Sequence, residues 1–210
     1  MKIITISYEF GSGGCELGKR LSRALGAAYY DREIAAEIAR MSKTDVEQIE
    51  NMLSEEFTPF STYIPRYPFG RIPPNALYPM RLLSRQREVL ERIARKNKDC
   101  VIVGHGADVA LAGYRPFKIF VYADMPSKIE QCRQGIFADE HLTEKKIAKK
   151  IKKIDRVSAS YHNAVTNLTW GHKRGYHLCI NTSNIEIPTI VPWITSYSLD
   201  WFRNRDEKKQ

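Results

Sequence analysis

The sequence predicts an α/β fold built on a mainly parallel sheet. Three observations predict it. Short β-rich runs alternate with longer segments of helical period along the 210-residue chain. Two of the runs, Cys100–Val103 and Phe117–Tyr122, are largely apolar, as in strands covered on both faces. A glycine cluster, Gly11-Ser12-Gly13-Gly14, separates the first strand from the first helix.

The elements follow in order. Lys2–Ser7 alternates and is rich in isoleucine, so it reads as a strand. Leu17, Leu21 and Leu25 then recur at helical spacing, with Lys19, Arg20 and Arg23 between them, and Gly26 stops that helix. Tyr29-Tyr30 leads through Asp31 and Arg32 into a second helix, Ile34–Met41, and Thr44–Leu53 reads as a third. Phe57–Pro79 holds Pro59, Pro65, Pro68, Pro73, Pro74 and Pro79 and has no clear period, so it reads as an irregular insert. Met80–Lys96 is a helix with Leu83, Val89 or Leu90, and Ile93 on one side. Pro126–Gln134 is another. Thr143–Tyr161 is one long basic helix, with Thr143 placed to cap it and Ile147, Ile151 and Ile154 as its apolar stripe. Tyr176–Asn181 is a last strand and Ile187–Arg203 a last helix, in which Pro192 is expected to be an interruption. Trp170 and Trp193 are expected to pack in or against the core.

Composition narrows the function classes. Apolar residues make up 43% and charged residues 27%, a globular balance that excludes a disordered or fibrous chain. The length suits one domain, 1–210. No apolar run is long enough to span a bilayer, and the N-terminus runs straight into a strand with no signal-peptide pattern. Cys15, Cys100, Cys132 and Cys179 are scattered without a C-x-x-C pair, which argues against a disulfide or zinc framework and fits a reducing cytoplasm. The net charge of +9 fits a nucleic acid, an anionic membrane or a phosphorylated small molecule as partner. The densest basic run is Lys145, Lys146, Lys149, Lys150, Lys152 and Lys153. Its interleaved isoleucines explain it as the wet face of an amphipathic helix, and no aromatic residues alternate with it as a base-stacking platform requires. Nucleic-acid binding is therefore only the third reading.

Strand, glycine turn and helix together form an anion-binding arrangement. Glycines let backbone N–H groups approach, and the helix N-terminus adds its dipole. The pattern G-x-x-x-x-G-K occurs literally from Gly13 to Lys19, but Arg20 follows instead of Ser or Thr, and Lys19 would lie inside the helix. A register anchored on the strand end is physically better. It assigns Gly11, Ser12, Gly13, Gly14, Cys15 and Glu16 to phosphate binding, with the helix starting near Cys15. Gly14 then stands where a lysine would reach the phosphates, and Cys15 or Glu16 where a hydroxyl would serve magnesium. A bulky residue at Gly13 is expected to block the anion and leave the fold intact. The other reading of this loop is a plain strand-to-helix turn.

Ile4-Thr5-Ile6-Ser7-Tyr8-Glu9-Phe10-Gly11-Ser12-Gly13-Gly14, then Leu17-Gly18-Lys19-Arg20-Leu21 and Tyr29-Tyr30-Asp31-Arg32-Glu33, resemble the opening of the bacterial cytidylate-kinase-like family. Val101–Val109, Asp155-Arg156 with Tyr161, and Trp170-Gly171 followed by Tyr176 and Asn181-Thr182 are similar to later segments of that family. The resemblance implies a P-loop NTPase fold, three-layer α/β/α with a parallel core sheet. It also implies a helical nucleotide-binding insert near 33–98 and a lid near 138–175. The implied activity is ATP-dependent phosphorylation of a nucleoside monophosphate or a related small phosphorylated acceptor, with ATP and Mg2+ as cofactors. Cys15, His105 and Ser158 stand where the family often carries arginine, and each change removes a fixed positive charge. The alternative is a nucleotide- or phosphate-binding protein of the same fold with weak or no kinase activity.

Within this resemblance Arg156 contacts the phosphates and Asp155 orients it or the donor, both as catalytic residues. Otherwise they are a charge pair on a solvated helix. Asp31, Arg32, Arg81 and His105 are the candidate substrate-binding residues. Asp31 reads equally as a helix cap, and His105 as a hydrogen-bonded strand-end histidine. Cys15, at a helix N-terminus, is a candidate for a lowered thiol pKa.

Overall fold

The computed structural model describes residues 1–53, 78–96, 98–104, 106–166 and 168–207. Five parallel strands form one sheet: β1 Ile3–Tyr8, β2 Ala28–Tyr30, β3 Cys100–Val103, β4 Phe117–Tyr122 and β5 Leu178–Asn181. Their order is β2-β3-β1-β4-β5. Ile4 of the central strand pairs with Val101 on one side and Phe117 on the other.

The period of two in the strands builds two cores. Ile3, Cys100 and Ile102 face α2 (Arg32–Ser42) and α4 (Tyr78–Arg95), where Ile34, Ile38, Val89 and Leu90 meet them. Ile4, Ile6, Val101, Val103, Ile119 and Val121 face α1 (Gly14–Ala24) and α8 (Ile187–Glu207), against Leu17, Leu21, Ile187 and Phe202. The result is the expected three-layer arrangement with a parallel sheet buried on both faces. Phe117 anchors the second core, with the rings of Trp201 and Phe202 at 5.2 and 6.3 Å.

The remaining helices are α3 (Val46–Leu53), a four-residue α5 (Ala107–Ala110), α6 (Met125–Gln134) and α7 (Glu144–Val165). α7 buries Ile147 and Ile151 against Cys132 and Phe137, and Phe10 of the glycine loop packs into the same cluster. Its six lysines between 145 and 153 are exposed. The segment read as an irregular insert falls almost wholly outside the described residues, as does His105.

Four expectations are corrected here. Pro192 lies inside α8 without interrupting it, because it sits on the exposed side, where the carbonyl it leaves unbonded meets water. Trp193 is 80% exposed, since the inward face of α8 is set by Ile187, Val191, Ile194 and Ser198, and position 193 points away from it. Thr143 occupies the N-cap position of α7, but its side chain makes no capping hydrogen bond. α7 also runs a turn past Tyr161, to Val165.

The cap of α6 does form. The Asp124 carboxylate accepts a hydrogen bond from the Ser127 N–H at 2.8 Å, and Pro126 suits the first turn. That N–H holds the Asp124 carboxyl below the usual carboxylate range. A depressed carboxylate stabilises the fold above its unfolded pKa of about 3.9, and the contribution is lost as pH falls through the folded value. Asp124→Ala is therefore expected to lower Tm at neutral pH, and the deficit should close on acidification. A deficit that persists unchanged in strong acid rejects the cap as its cause.

Candidate functional site

The carboxyl end of β1 lies between β3 and β4, where the chain direction across the sheet switches, and such crevices hold ligands in open α/β sheets. The loop after β1 is pinned by its neighbours. The Glu9 amide donates to the Val121 carbonyl at 2.9 Å. The Ser12 hydroxyl donates to the Glu9 carbonyl at 2.6 Å, and Thr182 Oγ1 donates to the Ser12 carbonyl at 2.9 Å. Gly13 sits at the N-cap of α1 in the left-handed region (φ 81°), and no side chain caps the helix. The first-turn N–H groups of Gly14, Cys15 and Glu16 therefore have no side-chain acceptor from a cap, the arrangement that suits an anion.

Cys15 is not an activated thiol. Burial pushes its pKa up, and its S–H donates to the Tyr8 hydroxyl at 3.1 Å. Burial raises the Tyr8 phenol as well. Lys19 lies exposed on α1, 6.0 Å from the centre of the Tyr29 ring. Lys19→Ala is expected to change ATP affinity by less than about twofold. A hundredfold loss, about 2.7 kcal/mol, would move the loop register to the literal motif.

A cleft opens beside the loop. Its inner part is a cavity of about 200 Å³ under α7, lined by Tyr8, Asp31, Gly104, Ser158, Trp170 and a buried polar group. In that group His162 Nε2 lies 3.3 Å from Asp108 Oδ2, and Tyr161 donates to Gln86 Oε1 at 2.9 Å. Asp108 is buried, and its Oδ1 has no hydrogen-bond partner among the described residues. The outer part is wider, about 520 Å³, and shares Tyr8, Phe10, Asp31 and Ser158 while adding Arg32, Lys153 and Glu50. A third cleft of about 1,020 Å³ lies on the far side of α1, between the start of α6 and the β5–α8 turn, and includes Glu16, Asp124 and Asn184.

The structure thus brings Asp31 and Arg32 together at the cleft. The Asp31 carboxylate accepts from the Tyr29 hydroxyl at 3.0 Å and makes no capping bond to α2. Arg81 is exposed on α4 and lines none of these clefts. Asp155 is turned toward the loop: its Oδ1 accepts from the Phe10 N–H at 2.7 Å, and its Oδ2 accepts from Lys128 Nζ at 2.6 Å. Arg156 is exposed on α7, about 200° around the helix from Ile154, which lines the cavity.

Sequence reasoning missed Lys128, Gln86, Asp108 and His162. Lys128 stands one helical turn before buried Cys132, so the inward face of α6 already carried it. Gln86 sits on the stripe of Val89, Leu90 and Ile93, a polar residue in an apolar row. The spacing of Asp108 and His162, by contrast, carries no local signal.

Magnesium finds no cage of its own here. Cys15 offers sulfur where a hard cation takes oxygen, and no group of three or more His, Cys, Asp or Glu side chains among the described residues is placed to hold a metal. A magnesium ion here would therefore take most of its oxygen ligands from the phosphates it accompanies, with Glu16 the carboxylate beside Cys15, and no step is assigned to it.

A model of the cytidylate kinase-like family matches residues 3–184. Among solved structures, an uncharacterised protein from Eubacterium ventriosum is similar at TM-score 0.67 and 22% identity, over 94% of this chain and 98% of that one. A shikimate kinase from Bacteroides thetaiotaomicron is similar at TM-score 0.52 and 12% identity, covering 93% and 97% of the two chains. A gluconokinase from Sinorhizobium meliloti is similar at TM-score 0.50 and 11% identity, covering 100% and 98%. At such identities these likenesses show the fold. A search of curated proteins finds no significant match.

Proposed function

The chain belongs to the cytidylate kinase-like family, and on that premise we propose that it is a cytoplasmic, ATP-dependent phosphotransferase acting on a nucleoside monophosphate or a related small phosphorylated acceptor. One observation carries the reading. The cleft beside the glycine loop sets Arg32 and Lys153 at its mouth, among Asp31 and Glu50, and has a buried polar end around Asp108 and Gln86. A phosphorylated acceptor has the same two parts. Its phosphate suits the mouth, and its neutral hydrogen-bonding part suits the end where Asp108 Oδ1 lacks a donor. The donor phosphates run over Gly11–Glu16, and the base of the donor lies in the cleft between α6 and the β5–α8 turn. Asp155 and Arg156 act from α7, which serves as the lid. No helix among the described residues is long and apolar enough to cross a membrane.

The test is a thermal-shift panel of ATP, GTP, CMP, dCMP, UMP and AMP with magnesium, followed by coupled assays on the hits. A ligand at about 100 times its Kd stabilises by roughly 2.7 kcal/mol. No shift with any of the six overturns the reading. A second reading, nucleotide binding without turnover, is favoured by Gly14 and Cys15 standing where a lysine and a hydroxyl would assist catalysis. Arg156→Ala separates the two. In a working kinase it should lower kcat at least tenfold and Arg156→Lys should rescue poorly, because an ammonium cannot form the planar fork. Equal turnover by parent and Arg156→Ala returns Arg156 to the solvated face of α7.

A further inference from the structure

Lys128, Glu9 and Asp155 meet where the glycine loop, α6 and α7 converge. The Lys128 side chain is 4% exposed, and its Nζ donates to Glu9 Oε2 at 3.0 Å and to Asp155 Oδ2 at 2.6 Å. The other oxygen of Asp155 takes the Phe10 N–H. One carboxylate thus holds a loop amide and a buried ammonium, the two kinds of donor that a phosphoryl oxygen accepts from. The local charges are one positive and two negative. Glu9 alone neutralises Lys128, so Asp155 can leave without stranding a buried cation. Burial lifts the proton affinity of Asp155 despite Lys128 and the Phe10 amide, so its ionised form is held at a cost. Its side chain is 18% exposed and so reachable from solvent, whereas that of Lys128 is 4% exposed.

We propose that Lys128 and the Phe10 amide form a subsite for a phosphoryl oxygen of a bound polyphosphate, and that Asp155 fills this subsite in the ligand-free chain. The subsite supplies a cation to a loop whose own lysine position is Gly14. Because Asp155 belongs to α7, its displacement also releases α7 from the loop, so phosphate binding and lid movement are coupled through one carboxylate. The inference rests on the phosphate-loop reading above.

The experiment is calorimetric titration of the full chain with inorganic tripolyphosphate, without nucleotide or metal. Asp155→Asn removes the competing charge and keeps the shape, and Asp155→Ala empties the place. Both are expected to bind tripolyphosphate about tenfold more tightly than the parent. Adding Lys128→Met to Asp155→Asn should abolish that gain, and melting curves verify that each variant is folded. Folded Asp155 variants that bind no tighter, a double variant that keeps the gain, or no binding by any chain would each overturn the subsite. Tighter tripolyphosphate binding with no nucleotide shift or turnover in any chain sinks the kinase reading and leaves the subsite standing. Turnover by the parent with no tightening in the Asp155 variants does the reverse.

Discussion

Gly13→Val should destabilise the chain by about 3 kcal/mol and abolish nucleotide binding as a consequence of misfolding in the loop. Two independent terms add. Gly13 has φ 81°, a left-handed conformation that costs an L-residue roughly 1–2 kcal/mol and a β-branched one more. A Cβ there would also lie 2.7 Å from Ile187 Cδ1 and 3.0 Å from Gln131 Nε2. Overpacking of that kind costs about 1–3 kcal/mol. For a chain of this size each kcal/mol lowers Tm by roughly 2–4 °C, so the melt should move down by roughly 6–12 °C. Gly26→Ala is the control. Gly26 has φ 61° but open space around it, so only the conformational term applies, about 1–2 kcal/mol. A Gly13→Val protein that melts with the parent would show that α8 does not close over the loop as described. The sequence alone suggests a harmless block of the anion site here. It cannot show that Ile187, 174 positions downstream, packs on the same glycine.

That case marks the boundary of what was legible. Periodicity is local, so the strands, the amphipathic helices and the glycine turn could be read from neighbouring residues. The alternation of Ile3, Ile4 and Ile6 between two cores follows from the same rule. The site is different, because its parts meet through long-range contacts. Asp155 reaches Phe10 across 145 positions, and Lys128 reaches Glu9 across 119. Asp155 stands out through a resemblance, yet nothing near it in sequence points to Phe10 or Lys128 as its partners. Lys128 carries no sign of its burial, because a lysine in a short helix usually faces water. Cys15 shows the same limit in electrostatics: its place at a helix start suggests a lowered pKa, while burial, which only the fold reveals, raises it. Trp193 misled by type, since a large aromatic ring suggests a core position and the phase of α8 turns it outward.

Lys128→Met alone should cost about 3 kcal/mol of stability, the larger part of it recoverable by removing its partners. Taking one member out of a buried ion pair leaves an uncompensated charge, typically at a cost of about 3–5 kcal/mol. The lower end applies because the Asp155 and Glu9 side chains keep 18% and 29% exposure, and water can solvate part of what Lys128 leaves behind. The methionine fills most of the vacated volume, so packing loss is a minor part. Asp155→Asn and Glu9→Gln, added to Lys128→Met, convert the stranded carboxylates to neutral amides and should restore most of the Tm. Arg87→Ala offers the contrast: its pair with Glu91 lies on an exposed face of α4, and such pairs contribute about 0–1 kcal/mol. Raising salt should erase the small Arg87 effect and leave the Lys128 deficit nearly intact, because a side chain that is 4% exposed is poorly screened. If Lys128→Met melts as Arg87→Ala does, the ammonium is solvated and does not join the loop to α7. If the triple variant stays as unstable as Lys128→Met, the loss comes from packing rather than from stranded charge.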